Sequence, residues 1–300
     1  MTVNDLATLK SELTRANATW IAEHNPLIDL TPEQQKIRLG ATPPAGEPSL
    51  VDRETRAAQM YKAAAAAAPA VPVSFDWRSN AGRNYISCPK DQGGCGSCVA
   101  FGTAAAIDGA MRVIDAAPIG TAKGYTLHDV SEAQLYYCST TATDHHNCAS
   151  GWWPTSALAY AHATGLAPES CFPYTAGDQP CHLCANWAAL VTKVGNTSSV
   201  TTASAMQQWL ATKGPLITCF TVYDDFFAYA GGVYTHHSGA VAGGHCVCCI
   251  GYNLTTKAWL CKNSWGSAWG MGGYFWIGFG QCGIDSDMWG ISSFSSIYHT

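Results

Sequence analysis

DQGGCGSCVAF, residues 91 to 101, sets two cysteines three residues apart in a glycine-rich turn that runs into an apolar segment. Three chemistries use such a pattern: a metal site, a disulfide and a nucleophilic thiol. From Ala100 onward, apolar residues recur at Ala104, Ile107, Met111 and Ile114, in steps of four and three, which predicts a helix. Cys98 stands where the turn meets that helix. Unpaired N–H groups and the dipole at a helix start favour an anion, so the thiol's pKa should fall toward the thiolate. A thiolate is the attacking species in acyl transfer. Zinc would need a second pair at suitable spacing, and Cys181/Cys184, in CHLC, is the only obvious partner.

Composition narrows the classes. Of 300 residues, 47% are apolar and 12% charged, enough to bury a sizeable core in one large domain or two small ones. A net charge of −5 argues against nucleic acid or an anionic membrane as the main partner. No apolar run approaches the ~18 residues of a membrane span, and MTVNDLATLK has no apolar signal-peptide core. Fourteen cysteines are dense for a cytosolic enzyme. They point to a secreted, endosomal or lysosomal setting with several disulfides. N-x-S/T sequons at Asn17, Asn196 and Asn253 are compatible with a glycoprotein from that setting.

The chain divides into residues 1–70 and 71–300. In the first zone Leu6, Leu9, Leu13, Ala16 and Trp20 fall at helical spacing, a stripe that needs something to pack against. ATPPAGEP and then AAAAAAPAVP, residues 63 to 72, read as an accessible connector. The second zone begins helical. Ser131 with Gln134 makes a capping box, and Pro154 and Gly165 bracket another helix. Its second half reads as strands: LITCFTVY, HCVCCIGY, AWLCKNSW and YFWIGF. A helical lobe followed by a β lobe implies a cleft between them.

QGGCGSCVAF closely resembles the active-site segment of papain-like cysteine peptidases. Two further stretches fit. GGHCVCCIGYN places His245 roughly 150 residues after Cys98, and KNSWGSAWGMGGYF supplies Asn263 and Trp265. The resemblance implies an α+β, papain-like two-lobe fold. A helical left lobe and a β-barrel-like right lobe would flank the active-site cleft, preceded by a propeptide. It implies Cys98 as nucleophile, His245 as its base and then acid, and Asn263 as the group that orients the imidazole under Trp265. Gln92 would donate its side-chain amide to the oxyanion beside the Cys98 N–H. No metal or cofactor is expected.

The likeness is greatest to cathepsin B-like members and extends over nearly the whole chain. ANATWIAEHN resembles the short cathepsin B propeptide, and VPVSFDWR the start of the mature enzyme. Residues 1–70 would then be an autoinhibitory propeptide and 71–300 the peptidase domain. The same resemblance pairs Cys95 with Cys148, Cys138 with Cys181, and Cys171 with Cys184. Seven cysteines besides Cys98 remain, so at least one stays free. Substrate would lie against Gly96, Ser150 and Gly151. Gly151 would offer its N–H and C=O, and Ser150, where the family has glycine, would narrow the S1 subsite. Trp152, Cys219, Gly244 and Cys246 would wall the S2 pocket, with Asp287 at its end able to pair with arginine at P2. Val99 replaces the usual aromatic after the nucleophile, which should alter packing more than chemistry. FPYTAGDQPCHLC is short and holds only His182. The paired histidines that give cathepsin B its dipeptidyl carboxypeptidase action are missing from it, and His145–His146 reads as a solvated loop.

The expected activity is that of a cysteine endopeptidase made as a latent zymogen. Its partners are polypeptide substrates and its own propeptide, without nucleic acid or membrane, and it is expected to be a monomer. A pseudo-enzyme and an acyl-transferring ligase share the fold. Retention of all four catalytic residues argues against the first, and product analysis with an added amine separates the second.

Overall fold

A computed structural model of the chain describes residues 3–63, 71–120, 128–140 and 144–298. The N-terminal segment contains helix α1 (Val3–Arg15), strand β1 (Trp20–Ala22), helix α2 (Pro32–Lys36) and helix α3 (Leu50–Ala63). After it come β2 (Ser74–Asp76) and three helices, α4 (Cys98–Ile114), α5 (Glu132–Tyr137) and α6 (Pro154–Ala163). The rest is mainly strand: β3 (Lys193–Val194), β4 (Thr197–Val200), helix α7 (Ala203–Thr212), β5 (Leu216–Tyr223), β6 (Tyr229–Tyr234), β7 (Val241–Asn253), β8 (Ala258–Lys262), β9 (Tyr274–Gly278), β10 (Met288–Ile291) and β11 (Phe294–Ser296).

The α4 pattern is too apolar for a surface helix, and α4 is buried along most of its length. It packs on β7. Gly102 makes the close approach possible: a Cβ there would sit 3.1 Å from both the Cys246 sulfur and the Val247 nitrogen. That contact fixes Cys98, at the head of α4, beside the strand that carries His245. Among the described residues three disulfides, Cys95–Cys148, Cys138–Cys181 and Cys171–Cys184, staple the loops around α4 and α5. These are the pairs named above. The remaining cysteines are unbonded, and of them only Cys88 is exposed.

The main sheet runs β1-β6-β9-β8-β7-β5-β10-β4, with β2 added to β7. It is open, not a closed barrel: among the described residues the terminal strands β1 and β4 do not pair with each other. The N-terminal segment is built into it, since β1 pairs with β6 through Trp20 opposite Gly232. Leu6, Leu9 and Leu13 join the core under the sheet with Trp20, Phe226 and Trp269.

Some local expectations change. Trp20 is not on the α1 stripe, because the chain turns at Asn17, whose φ is +50°, and continues as a strand. Ser131 caps α5 by accepting the Gln134 N–H, but the Gln134 side chain turns away to the Gly165 carbonyl and the Ala167 N–H. α6 begins at Pro154 as expected, and Gly165, with φ +81°, follows its end. His245 lies inside β7 instead of at a strand start. Residues 64–70 of the expected connector lie outside the described residues, and the residues just before them form α3. No described helix is long and apolar enough to cross a membrane.

Candidate active site

Cys98 is the first residue of α4 and is fully buried. Its helix start is not capped by Ser97, whose hydroxyl instead bonds Tyr174 Oη at 2.8 Å. The same phenol donates to the Gln92 carbonyl, tying the motif's turn to the helix. The Cys98 sulfur accepts N–H groups from Cys246, the residue after His245, and from Gly40 at 3.3 Å.

His245 projects from β7 and is fully buried. Its Nε2 lies 2.7 Å from Asn263 Oδ1, which also accepts the Ser264 N–H. Trp265 stacks on the ring at 4.6 Å. This arrangement fixes the tautomer: Asn263 Oδ1 is an acceptor, so Nε2 carries the hydrogen. Nδ1 is then the basic nitrogen, and it has no hydrogen-bond partner among the described residues.

Gln92 is buried and held from both ends. Ser264 Oγ donates to its Oε1 at 2.6 Å, and the Gln92 N–H donates to the Ser264 carbonyl. Its Nε2 is thereby aimed at two acceptors, the Cys95 carbonyl and the Arg38 carbonyl at 2.9 Å. Ser264 and Tyr174 therefore position Gln92 and the turn that leads into Cys98, roles the sequence did not suggest. The signal for Ser264 was its place between Asn263 and Trp265.

Residues 38–42 of the N-terminal segment run through the site. Gly40 and Thr42 bracket Trp152: the Trp152 N–H donates to the Gly40 carbonyl at 2.7 Å, and the Thr42 N–H to the Trp152 carbonyl at 3.0 Å. On the other wall the Ala41 N–H donates to the Gly244 carbonyl at 3.0 Å. Ala41 and Trp152 form a parallel bridge. Gly96 supplies the floor, its own N–H bonded to the Cys148 carbonyl. Cys98, His245, Asn263, Gln92, Gly96, Trp152, Gly244 and Trp265 are thus gathered around one stretch of chain.

Burial decides the electrostatics. It pushes the Cys98 thiol up to about 12, against the pull of the N–H groups of Cys246, Gly40 and Val99. It lowers His245 to about 4, although the Asn263 bond works the other way, and the Arg38 charge adds to the lowering. The helix start was expected to depress the thiol. In this closed form desolvation outweighs it, so both groups are neutral.

Other assignments are adjusted. The Gly151 N–H donates back to the Asn147 carbonyl, so the main chain of Trp152, not of Gly151, holds the extended segment. Gly151 has φ +70°, and a Cβ there would fall 2.2 Å from the Gly40 carbonyl oxygen. The Ser150 hydroxyl accepts the Asn147 N–H, closing its own loop. Val99 is fully buried in the core around α4. His146 is no solvated loop residue: it is buried, stacks on Trp152 at 4.3 Å and bonds the Tyr136 carbonyl. Cys219 and Cys246 are buried cross-strand neighbours on β5 and β7. Asp287 is 7% exposed and bound by Arg53 of α3, with Arg56 at 3.5 Å.

Comparison with known proteins points to one family. The description "Papain family cysteine protease" fits residues 71–291. "Cathepsin B-like CP3" of Giardia intestinalis is 37% identical over 235 residues, 73% of this chain and 74% of that protein. Mouse "Pro-cathepsin H" is 34% identical over 223 residues, 71% of this chain and 62% of the relative. Among solved structures, a digestive procathepsin L2 proteinase from Tenebrio molitor larval midgut superposes with a TM-score of 0.75 at 28% identity, covering 97% of this chain and 90% of that one. With the motif, the buried His245–Asn263 pair and a segment threaded through the cleft in agreement, the chain belongs to the papain family of cysteine proteases, in a zymogen-like form.

Proposed function

We propose that Cys98, His245, Asn263 and Gln92 carry peptide-bond hydrolysis, that residues 1–70 form an inhibitory prosegment, and that residues 71–300 form the peptidase domain. The observation that carries this reading is the threading of residues 38–42. They occupy the Cys98 sulfur with an N–H and the Gln92 amide with a carbonyl oxygen, and so block the two points that the carbonyl of a scissile peptide must reach.

Once the prosegment leaves, water reaches both groups and the desolvation that keeps them neutral falls away. The Cys98 proton passes to His245 Nδ1, and the thiolate attacks the substrate carbonyl carbon. Gln92 Nε2, fixed by Ser264, and the Cys98 N–H stabilise the oxyanion. Asn263 holds Nε2–H, so Nδ1 returns the proton to the leaving amine. The thioester left on Cys98 is opened by water, with His245 now taking the water's proton. The S2 pocket has Trp152, Cys219, Gly244 and Cys246 as walls and Asp287 at its end. A secreted or endolysosomal location is supported by the three disulfides.

The test is hydrolysis of a dipeptidyl fluorogenic substrate by the processed chain, wild type against Cys98→Ala. Loss of activity by several orders of magnitude is expected, with the fold retained. Wild-type turnover in the variant removes Cys98 from the mechanism.

A further inference from the structure

Arg53 projects from α3 and is 1% exposed. A buried guanidinium is tolerated only where its charge and N–H groups are met. Two kinds of partner meet it. Glu47, at 3.2 Å, and the Pro48 carbonyl, at 3.3 Å, belong to the N-terminal segment and travel with it. Asp287, the Ser286 hydroxyl at 3.3 Å, and the rings of Trp153 and Trp289 belong to the other side. The guanidinium carbon lies 4.5 Å from the Trp153 ring centre and 5.4 Å from that of Trp289. A carboxylate, a hydroxyl and two indole faces make a site for a flat, delocalised cation, not for a compact ammonium. The site adjoins the cleft: Leu50, one helical turn before Arg53, reaches Gly244, where a Cβ would lie 3.1 Å from its side chain.

We propose that Asp287, Ser286, Trp153 and Trp289 form a guanidinium-binding site, and that Arg53 fills it as an internal ligand that latches the prosegment shut. This rests on the prosegment reading above. The latch is separate from residues 38–42. Those cover the nucleophile through main-chain bonds, whereas Arg53 adds a buried side-chain contact at a different place. Withdrawal of α3 leaves Asp287 and both indole faces without their cation.

The experiment measures alkylation of Cys98 by iodoacetamide in the full-length chain, read by mass spectrometry, with exposed Cys88 as internal reference. Wild type, Arg53→Gln, Arg53→Lys and Arg53→Gln/Asp287→Asn are compared. Removing one partner of a buried pair is costly, so Arg53→Gln should raise the Cys98 rate at least ~100-fold. Arg53→Lys, which keeps charge but not the fork, should fall between. The double variant should add little to the single one, because the two residues act as a pair. Equal protection of Cys98 in wild type and Arg53→Gln overturns the latch while leaving the prosegment reading intact. A wild-type Cys98 that reacts as fast as Cys88 overturns the prosegment reading itself. If Arg53→Gln does not fold, Arg53→Lys decides: wild-type protection in it refutes a guanidinium-specific site.

Discussion

Gly40→Ala should open the closed form without touching the catalytic residues. At Gly40 the N-terminal segment passes so near the floor of the cleft that a Cβ would lie 1.8 Å from the Gly96 carbonyl oxygen and 2.4 Å from its carbon. Both are backbone atoms, and Gly96 is held in turn by the Cys148 carbonyl. The floor cannot give, so the segment must retreat. Non-bonded carbon contacts settle near 3.5 Å, which requires a shift of about 1.5 Å. A shift of that size breaks four main-chain bonds of residues 40–42: Gly40 N–H to the Cys98 sulfur, Trp152 N–H to the Gly40 carbonyl, Ala41 N–H to the Gly244 carbonyl and Thr42 N–H to the Trp152 carbonyl. At about 1 kcal/mol net for each, the closed form loses roughly 4 kcal/mol. That is two to three decades in the opening equilibrium, since about 1.4 kcal/mol is tenfold. The assay is the alkylation rate of Cys98 relative to Cys88 in the full-length chain. An increase of about 100-fold or more is expected. A Gly40→Ala chain that folds and protects Cys98 within twofold of wild type refutes the reasoning, because a methyl group would then fit where no space is left.

Acid should open the closed form through His245, which burial holds near 4 against its ordinary 6.5. The closed form resists protonation and the open form does not, so the effect begins as pH falls below about 6.5 and is complete near 4, worth about 3 kcal/mol. Amide exchange of residues 38–42, corrected for its intrinsic pH dependence, should lose protection by more than tenfold between pH 7 and 4.5, and unchanged protection refutes it. In the processed enzyme Asp287→Ala should lower kcat/KM for an Arg-Arg substrate by about 10- to 100-fold and leave Phe-Arg nearly unchanged, an equal effect on both counting against the pair. The processed enzyme should also release C-terminal dipeptides poorly, because FPYTAGDQPCHLC offers only His182; rapid dipeptide release from a test peptide contradicts this.

The candidate catalytic constellation was legible because the proposed chemistry demands fixed residue types at fixed places. Cys98 at a helix start, Asn263 before Ser264 and Trp265, and Gln92 before the double glycine all read directly from local sequence. The strands β5, β7, β8 and β9 were legible as apolar runs too short for helices. What failed was decided by contacts distant in sequence. Nothing in VDRETRAAQMYK announces that Arg53 will be buried, since its partner Asp287 lies more than two hundred residues away. Trp20 continues the α1 spacing on paper, but the turn at Asn17 and the edge of β6 claim it for a strand. The thiol's depressed pKa was inferred from the helix alone. RLGAT, residues 38 to 42, gives no sign that it will exclude water from that helix start.

The closed form survives contact with its own nucleophile because the segment's polarity is wrong for attack. A scissile peptide must place a carbonyl carbon on the Cys98 sulfur and the oxygen of that same carbonyl on Gln92. Here the sulfur faces the Gly40 N–H, which has no electrophilic carbon, and Gln92 holds the carbonyl of Arg38, two residues away. The parallel bridge between Ala41 and Trp152 belongs to the same arrangement. To cut itself within one molecule, the chain would have to lose these bonds, free Arg53, and present a peptide bond of its own to Cys98 in register for attack. A second, already open molecule needs none of this. Processing should therefore be bimolecular, and its half-time should fall in proportion to protein concentration over a hundredfold dilution series at fixed acidic pH. A half-time independent of concentration would mean that the opened segment turns back into its own cleft, and that the threaded polarity does not protect the chain.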